Sequence, residues 1–97
     1  MQVIISTRGM TVSRTYKDAL TRKLAKLTPL LPALVATRAV LSKEKHRRTA
    51  ALTLLARRRA FRSRGTAPDL EAAVDRAVEA LRRQVRDTKA RRPRRIP

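Results

Sequence analysis

The chain of 97 residues contains no cysteine and no tryptophan, and Tyr16 and Phe61 are its only aromatic residues. The absence of cysteine excludes disulfide bonds and thiolate metal sites. The shortage of aromatic side chains argues against a platform on which nucleic-acid bases stack. No apolar run approaches the ~20 residues of a membrane-spanning helix, and the N-terminus lacks the features of a signal peptide. We therefore expect a cytoplasmic protein, or an organellar one whose transit peptide has been removed.

Acidic residues are also scarce, because seven Asp and Glu stand against 25 Lys and Arg, which gives a formal net charge of +18. A folded domain gains no stability from such self-repulsion, so the charge indicates a polyanionic partner. Hydrophobic residues make up 42% of the chain, which is too many for a purely disordered basic segment. A chain of this length is expected to form one domain with one modest core.

The first predicted elements are a strand and a helix. Residues 2–7 are rich in β-branched side chains, which predicts a strand that ends at Arg8-Gly9. Ser13 is a good N-cap for the helix that follows. Apolar residues then recur on one face of this helix: Tyr16, Leu20, Leu24 and Leu27. Residues 28–32 contain two prolines and end the helix.

Three strands and a second helix follow. Alternating patterns predict strands over residues 35–44, 48–56 and 59–65, with a tight turn near residues 45–47. Residues 66–69 are typical of a helix start, with a proline and an aspartate in the first turn. An apolar stripe then extends along this helix: Leu70, Val74, Ala77, Val78, Leu81 and Val85.

The order β-α-β-β-β-α predicts an α+β two-layer sandwich, in which a four-stranded mixed sheet carries two helices packed on one face. The crossover helix makes the first two strands parallel if they are neighbours, and hairpins join the others. We expect one domain over residues 1–89. Residues 90–97 are basic and lack apolar periodicity, which predicts a mobile tail.

Basic residues on the predicted elements are the candidate RNA-binding residues. If the helices lie side by side, one group forms a single basic surface: Arg22, Lys23, Lys26, Arg82, Arg83, Arg86 and Lys89. Lys45 and Arg47 lie at the tight turn, and Arg62 and Arg64 alternate outward from the last strand. Such side chains bind phosphate oxygens and carry little sequence information. The alternative for each of them is a solvated surface.

Enzymatic chemistry is not expected. The sequence has no Gly-rich phosphate loop, no nucleophile–base pair and no metal-ligand spacing, so we predict no catalytic residue, no metal and no cofactor. His46, the only histidine, has no acidic or serine partner in a motif. Glu71, Asp75 and Glu79 are interpreted as partners of the helix dipole, and Glu79 lies four residues before Arg83, a spacing that favours an intrahelical ion pair.

Five stretches carry a resemblance to a known family: residues 1–6 (MQVIIS), 23–27 (KLAKL), 40–45 (VLSKEK), 69–75 (DLEAAVD) and 81–85 (LRRQV). In order and spacing, over about residues 1–89, they resemble the ribosome hibernation promoting factors, also called ribosome-associated inhibitors or sigma-54 modulation proteins. The chain departs from the family at Glu71, where a tyrosine is usual. It also has Arg57-Arg58-Arg59 where the family has a Gly-containing turn, and arginines are unfavourable where φ is positive. That hairpin is therefore expected to be longer or differently shaped.

The resemblance implies a short-form hibernation factor without the C-terminal dimerisation domain of longer members. Such a protein binds the small ribosomal subunit, its rRNA and neighbouring ribosomal proteins, between head and body. It blocks the mRNA path and the A and P tRNA sites of idle ribosomes, and it has neither a membrane nor a small molecule as partner. The alternatives are a constitutive ribosomal protein or a general structured-RNA-binding protein, a DNA-binding transcription modulator, and a protein-interaction module that uses a sheet edge.

Overall fold

The structure, a computed structural model, describes residues 2–30 and 34–90. Its elements, in chain order, are β1 (Gln2–Arg8), α1 (Arg14–Ala25), a short 3₁₀ helix (Thr28–Leu30), β2 (Leu34–Glu44), β3 (Arg47–Ala56), β4 (Ala60–Ala67) and α2 (Leu70–Ala90). The predicted order β-α-β-β-β-α and the α+β fold class are therefore confirmed. Of the predicted tail, Ala90 is the last residue of α2, and residues 91–97 lie outside the described residues.

The sheet has the strand order β1-β2-β3-β4. β1 pairs with β2 in parallel, as a crossover connection through α1 requires. β3 and β4 each pair antiparallel with the strand before them. A sheet with this order is mixed, and its edge strands are β1 and β4.

One core lies between the sheet and the helices. On β3 the side chains alternate, so that Ala50, Leu52 and Leu54 are buried while the residues between them are partly exposed. α1 contributes Leu20 and Leu24 to this core. The α2 residues of the core are Ala73, Val74, Ala77, Val78, Leu81 and Val85. Both helices thus cover the same face of the sheet, as the alternation and the helical stripes predict.

The two helices run in the same direction. α1 crosses over between parallel strands and is antiparallel to both. α2 is antiparallel to β4, because the Ser63 hydroxyl donates to the Ala77 carbonyl at 2.7 Å while Arg76 donates to the Thr66 carbonyl near the other end of the strand, also at 2.7 Å. Because β4 is parallel to β2, both helices end at the same end of the sandwich. The turn between β3 and β4 lies at that end, and the turn between β2 and β3 lies at the opposite one.

The start of α2 differs from the prediction. Residues 66–67 belong to β4, where Thr66 and Ala67 pair with β3. The helix begins at Leu70, and Asp69 caps it, since its Oδ1 accepts from the Ala72 amide at 2.8 Å. The aspartate therefore precedes the first turn, because its short carboxylate satisfies a free amide best from the N-cap position.

The turn of three arginines does not adopt the left-handed backbone that arginine disfavours, which is consistent with the expected difference in shape. Among the described residues, positive φ occurs only at Gly9 (69°) and at Lys45 (55°). The β3–β4 hairpin closes with the Ala56 amide donating to the Arg59 carbonyl at 2.9 Å, and it needs no left-handed residue. The strained position lies instead in the β2–β3 turn.

Candidate nucleic-acid interface

The C-terminal ends of the two helices bring basic residues from distant parts of the sequence to one end of the molecule. We call this group the helix-end surface: Arg22, Lys26, Arg82, Arg83 and Arg86. The 3₁₀ helix that follows α1 contacts α2. Lys23 in the last turn of α1 is paired with Asp75 in the second turn of α2, so α2 extends beyond the end of α1. Four of the five side chains of the helix-end surface are exposed, and that of Arg82 is partly buried. That the basic residues of both helices form one RNA-binding surface stays a prediction.

Local sequence places these residues. The Ser13 hydroxyl accepts from the Tyr16 amide at 3.0 Å and starts α1, which puts basic side chains in its last turn. There they complement the negative end of the helix dipole. In α2, at 100° per residue, Arg82 and Arg86 continue the flank that carries Asp75, and this flank faces α1. The outer side of the same helix carries Arg83.

Lys23 differs from its neighbours on α1. Its Nζ forms an ion pair with Asp75 Oδ1 of α2, the one ion pair between described side chains. The pair joins the helices across their common groove, and its side chains remain 43% and 59% exposed. The Lys23 charge is thus already balanced, unlike that of Lys26 one turn later. The predicted ion pair between Glu79 and Arg83 is not formed, although the spacing allows it.

The other end of the interhelical groove is acidic. The groove has a volume of about 170 Å³ and is lined by Tyr16, Ala19, Leu20, Lys23, Glu71 and Val74. Burial raises the pKa of the Tyr16 hydroxyl above its usual 10.0, and the nearby carboxylates of Glu71, Asp75 and Asp69 raise this pKa further. The charge therefore changes from negative to positive along the helices, which favours contact with a polyanion at the helix-end surface.

Two predicted residues lie at the opposite end of the sandwich. Lys45 and Arg47 are exposed at the β2–β3 turn, where Arg47 pairs with Glu44 as the first residue of β3. Lys45 adopts a left-handed backbone, which costs a non-glycine residue roughly 1–2 kcal/mol. His46 is exposed beside it. These residues form a second basic area, distant from the helix-end surface.

Arg62 and Arg64 lie on the face of the sheet turned away from the helices, as predicted from their alternation with buried Phe61. We call this the open sheet face. Sequence reasoning missed Arg8 and Arg38, which lie on the same face. Arg38 lies between two residues that are completely buried, Thr37 and Ala39, and this burial is not visible in the sequence.

Two further basic residues, Arg59 and Lys89, lie in the β3–β4 turn and in α2. In the β3–β4 turn, Arg59 lies over the ring of Phe61, with its guanidinium carbon 5.8 Å from the ring centroid. This contact attaches the turn to the sheet at the end where the helices finish. Lys89 belongs to the last turn of α2.

No group of three or more His, Cys, Asp or Glu residues within residues 2–30 and 34–90 is arranged to hold a metal ion. No helix in this part of the chain is both long enough and apolar enough to span a bilayer. The architecture and its charge define a class, that of small basic α+β domains with two parallel helices on one side of a four-stranded sheet.

Within that class, residues 3–93 match the family model described as Sigma 54 modulation protein / S30EA ribosomal protein. The chain belongs to this family, which confirms the resemblance to hibernation factors and places the protein among ribosome-associated proteins. A comparison with curated protein sequences found no significant match.

Solved structures agree with this assignment. The chain is similar to a ribosomal subunit interface protein from Coxiella burnetii, with a TM-score of 0.85, 15% identity, and coverage of 94% of this chain and 100% of that one. It is also similar to the N-terminal domain of Protein Y from Thermus thermophilus, with a TM-score of 0.81, 26% identity, and coverage of 90% and 98%. At 15% identity the first likeness concerns the fold alone.

Proposed function

We propose that the protein is a ribosome hibernation factor that binds the rRNA of the small subunit between head and body. In this position it blocks the mRNA path and the A and P tRNA sites, and so inhibits translation in idle cytoplasmic ribosomes. The family assignment supports ribosome association. The action is occupancy, without catalysis.

The observation that carries this proposal is the helix-end surface. Arg82, Arg83 and Arg86 lie on the part of α2 that extends beyond the end of α1, which carries Arg22 and Lys26, and none of these side chains forms an ion pair with a described residue. Helical packing orders their backbones before binding, so little backbone entropy is lost when they bind phosphates. We propose further rRNA contacts for Lys23, Lys45, Arg47, Arg62, Arg64 and Lys89. The other proposed parts of the protein are a binding domain over residues 1–89 and a basic tail over residues 90–97.

Cell-free translation, with the protein titrated against a known concentration of ribosomes, tests the mechanism. We expect inhibition to reach completion near one protein per ribosome and to leave the rRNA intact. An excess of mRNA with initiator tRNA should relieve the inhibition, since they compete for the same space. Complete inhibition at far below one protein per ribosome would contradict occupancy.

A pair of charge-reversed variants tests the surface. Arg83→Glu/Arg86→Glu changes two exposed positions of the helix-end surface, and we expect it to lose most of the inhibition. Arg14→Glu/Lys17→Glu is the matched control, because it makes the same change in net charge on exposed positions near the opposite end of α1. Equal losses in the two variants would show that overall charge, rather than this surface, is responsible.

A constitutive ribosomal protein of the same fold is the second candidate, favoured by the family description, which includes the words S30EA ribosomal protein. Sucrose-gradient fractionation separates the two. A constitutive component is present in translating polysomes, whereas a hibernation factor is found on idle ribosomes only.

A further inference from the structure

The open sheet face carries a second set of arginines that the helix-end surface does not use. Arg38 on β2 pairs with Thr53 on β3, and Thr53 pairs with Arg62 on β4, so the two arginines lie in one row across the sheet. With strands ~4.8 Å apart, their Cα atoms are separated by roughly 10 Å. Arg64 follows two residues later on the same face, about 7 Å along the strand. Three arginines thus occupy positions around Thr53 on one face of the sheet.

Small side chains form the floor between these arginines. One trough of about 400 Å³ is lined by Ala51, Leu52, Thr53, Arg62, Ser63 and Arg64. A second, also of about 400 Å³, is lined by Arg8, Gly9, Ser42, Lys43, Glu44, Thr49 and Arg64. Arg64 borders both, so the troughs adjoin, and the two together extend across the sheet from β4 to β1. Thr53, Thr49 and Ser42 carry hydroxyl groups along this path, whereas the Ser63 hydroxyl donates to the Ala77 carbonyl on the helix side.

The arginines of this face lack a structural partner. The guanidinium groups of Arg8, Arg38, Arg62 and Arg64 form no ion pair or hydrogen bond with any described residue. Among residues 2–30 and 34–90, the only acid on the face is Glu44, at the end of β2. A charged residue on an edge strand can prevent aggregation, and this role is sufficient to explain Arg62 on β4. Protection of an edge does not explain Arg38, because β2 is a central strand with a neighbour on each side.

We propose that the open sheet face is a separate binding site for the backbone of single-stranded RNA. Guanidinium groups at these spacings bind successive phosphates, and the hydroxyl groups on the floor bind the sugar edge. A flexible single strand can follow a surface of such short side chains over several nucleotides. A rigid, cylindrical duplex can contact the same surface only where its backbone comes nearest. Within the described residues the face has no aromatic side chain, so bases do not stack on it and binding is independent of sequence.

The site lies on the side of the sheet opposite the helices, so it remains available when the helix-end surface is occupied. The protein then holds two RNA segments at once, one on each side of the sandwich. This inference deepens the proposed function at Arg62 and Arg64, which are among its proposed rRNA contacts, and it adds Arg8 and Arg38 and a single-stranded form of the RNA.

Chemical-shift mapping with ¹⁵N-labelled full-length protein and a short oligouridylate tests the site at low salt. We expect the largest shifts at Arg38, Thr53, Arg62 and Arg64, and we expect them to persist in the Arg83→Glu/Arg86→Glu protein. Shifts confined to α1 and α2, or their loss in that variant, would overturn the proposal. A failure of translation inhibition would leave these shifts unchanged, so the two proposals fail separately.

The salt dependence of the affinity for oligouridylate is the second test. Arg62→Gln/Arg64→Gln should reduce the magnitude of the negative slope of log affinity against log salt by about 1.4, since each phosphate contact to a single strand contributes ~0.7. Arg14→Gln/Lys17→Gln removes the same charge from α1 and should change the slope little. Equal effects of the two variants would reduce the observation to general electrostatic attraction. Tighter binding of duplex RNA than of oligouridylate at the same face would also contradict the proposal.

Discussion

Gly65 on β4 lies directly beneath Ala73 on α2. A Cβ atom at Gly65 would be 2.1 Å from the carbonyl oxygen of Ala73 and 2.6 Å from the amide nitrogen of Ala77. The strand and the helix therefore approach each other as closely as backbones can. This approach fixes the position of α2, and with it the arginines of the helix-end surface.

Substitution Gly65→Ala should destabilise the protein by about 2–3 kcal/mol, because the new methyl group collides with backbone atoms that cannot rotate away. Urea denaturation measures the change. Arg64→Ala, at the adjacent outward-facing position, is the control and should change the stability by less than about 0.5 kcal/mol. A Gly65→Ala protein as stable as the parent would show that α2 moves away without cost.

Glycine substitutions at the two positions of the β2–β3 turn should change the stability of the protein in opposite directions. Lys45→Gly relieves the strain of a left-handed backbone, roughly 1–2 kcal/mol, and loses part of this gain to the greater freedom of glycine in the unfolded chain. The net result should be a stabilisation of about 0.5–1 kcal/mol. His46→Gly, where φ is not positive, should destabilise by a similar amount. Thermal denaturation of the two variants checks the difference, and a common direction of change would contradict the assigned turn geometry.

Asp75→Asn should separate the structural role of Lys23 from its role in binding. The ion pair is half exposed, so its loss should cost less than about 1 kcal/mol of stability. It also frees the Lys23 ammonium group and removes a carboxylate from the groove. We therefore expect small-subunit affinity to increase by about two- to fivefold, which corresponds to roughly 0.4–1 kcal/mol.

Filter binding at low salt measures this gain, which should disappear in Lys23→Gln/Asp75→Asn. Glu79→Gln is the control for charge, since it removes a carboxylate from α2 without freeing a lysine. An equal gain in that control would show that Lys23 takes no part.

Tyr16 should ionise at a higher pH than a free tyrosine, because burial and the acidic end of the groove raise its pKa. It is the only tyrosine, and the chain has no tryptophan, so its ionisation can be followed by near-ultraviolet absorbance. The raised folded-state pKa means that the folded state retains its proton longer than the unfolded state does. The corresponding contribution to stability is complete below the unfolded pKa of about 10 and is lost as pH rises through the folded pKa.

Glu71→Gln should lower the pKa of Tyr16 by removing a neighbouring negative charge. Glu79→Gln, farther along α2, should leave the titration curve in place. A Tyr16 titration that does not respond to Glu71→Gln would exclude Glu71 as a cause of the raised pKa and leave it to burial, Asp75 and Asp69.

Most of the fold was predictable because its signals are local. The alternation of Ala50, Leu52 and Leu54 defined the buried face of β3, and the stripe from Leu70 to Val85 defined that of α2. The predicted start of α2 within residues 66–69 was wrong, because proline and aspartate are typical both of the first turn of a helix and of the residues just before it. Only the pairing of Thr66 and Ala67 with β3 distinguishes these cases.

The candidate interface was less predictable, since it depends on residues far apart in sequence. The ion pair between Lys23 and Asp75 joins residues 52 positions apart, and nothing in either helix alone indicates it. Arg38 was overlooked because a lone arginine within an apolar strand has no pattern of its own. Its importance becomes visible only when pairing through Thr53 places it in a row with Arg62.

The sequence by itself determined the elements, their order, the buried side of each, and an excess of positive charge that requires a polyanion. These follow from side-chain periodicity and composition, which act within a few residues. The tertiary structure decided which charges share a surface. Strand order and the common direction of the helices placed Arg22 and Arg86 on the same side of the molecule as the ends of both helices, placed Lys45 at the opposite end, and left Arg38 and Arg62 together on the open sheet face. Electrostatic interactions depend on distance in space, and only the packed chain defines those distances.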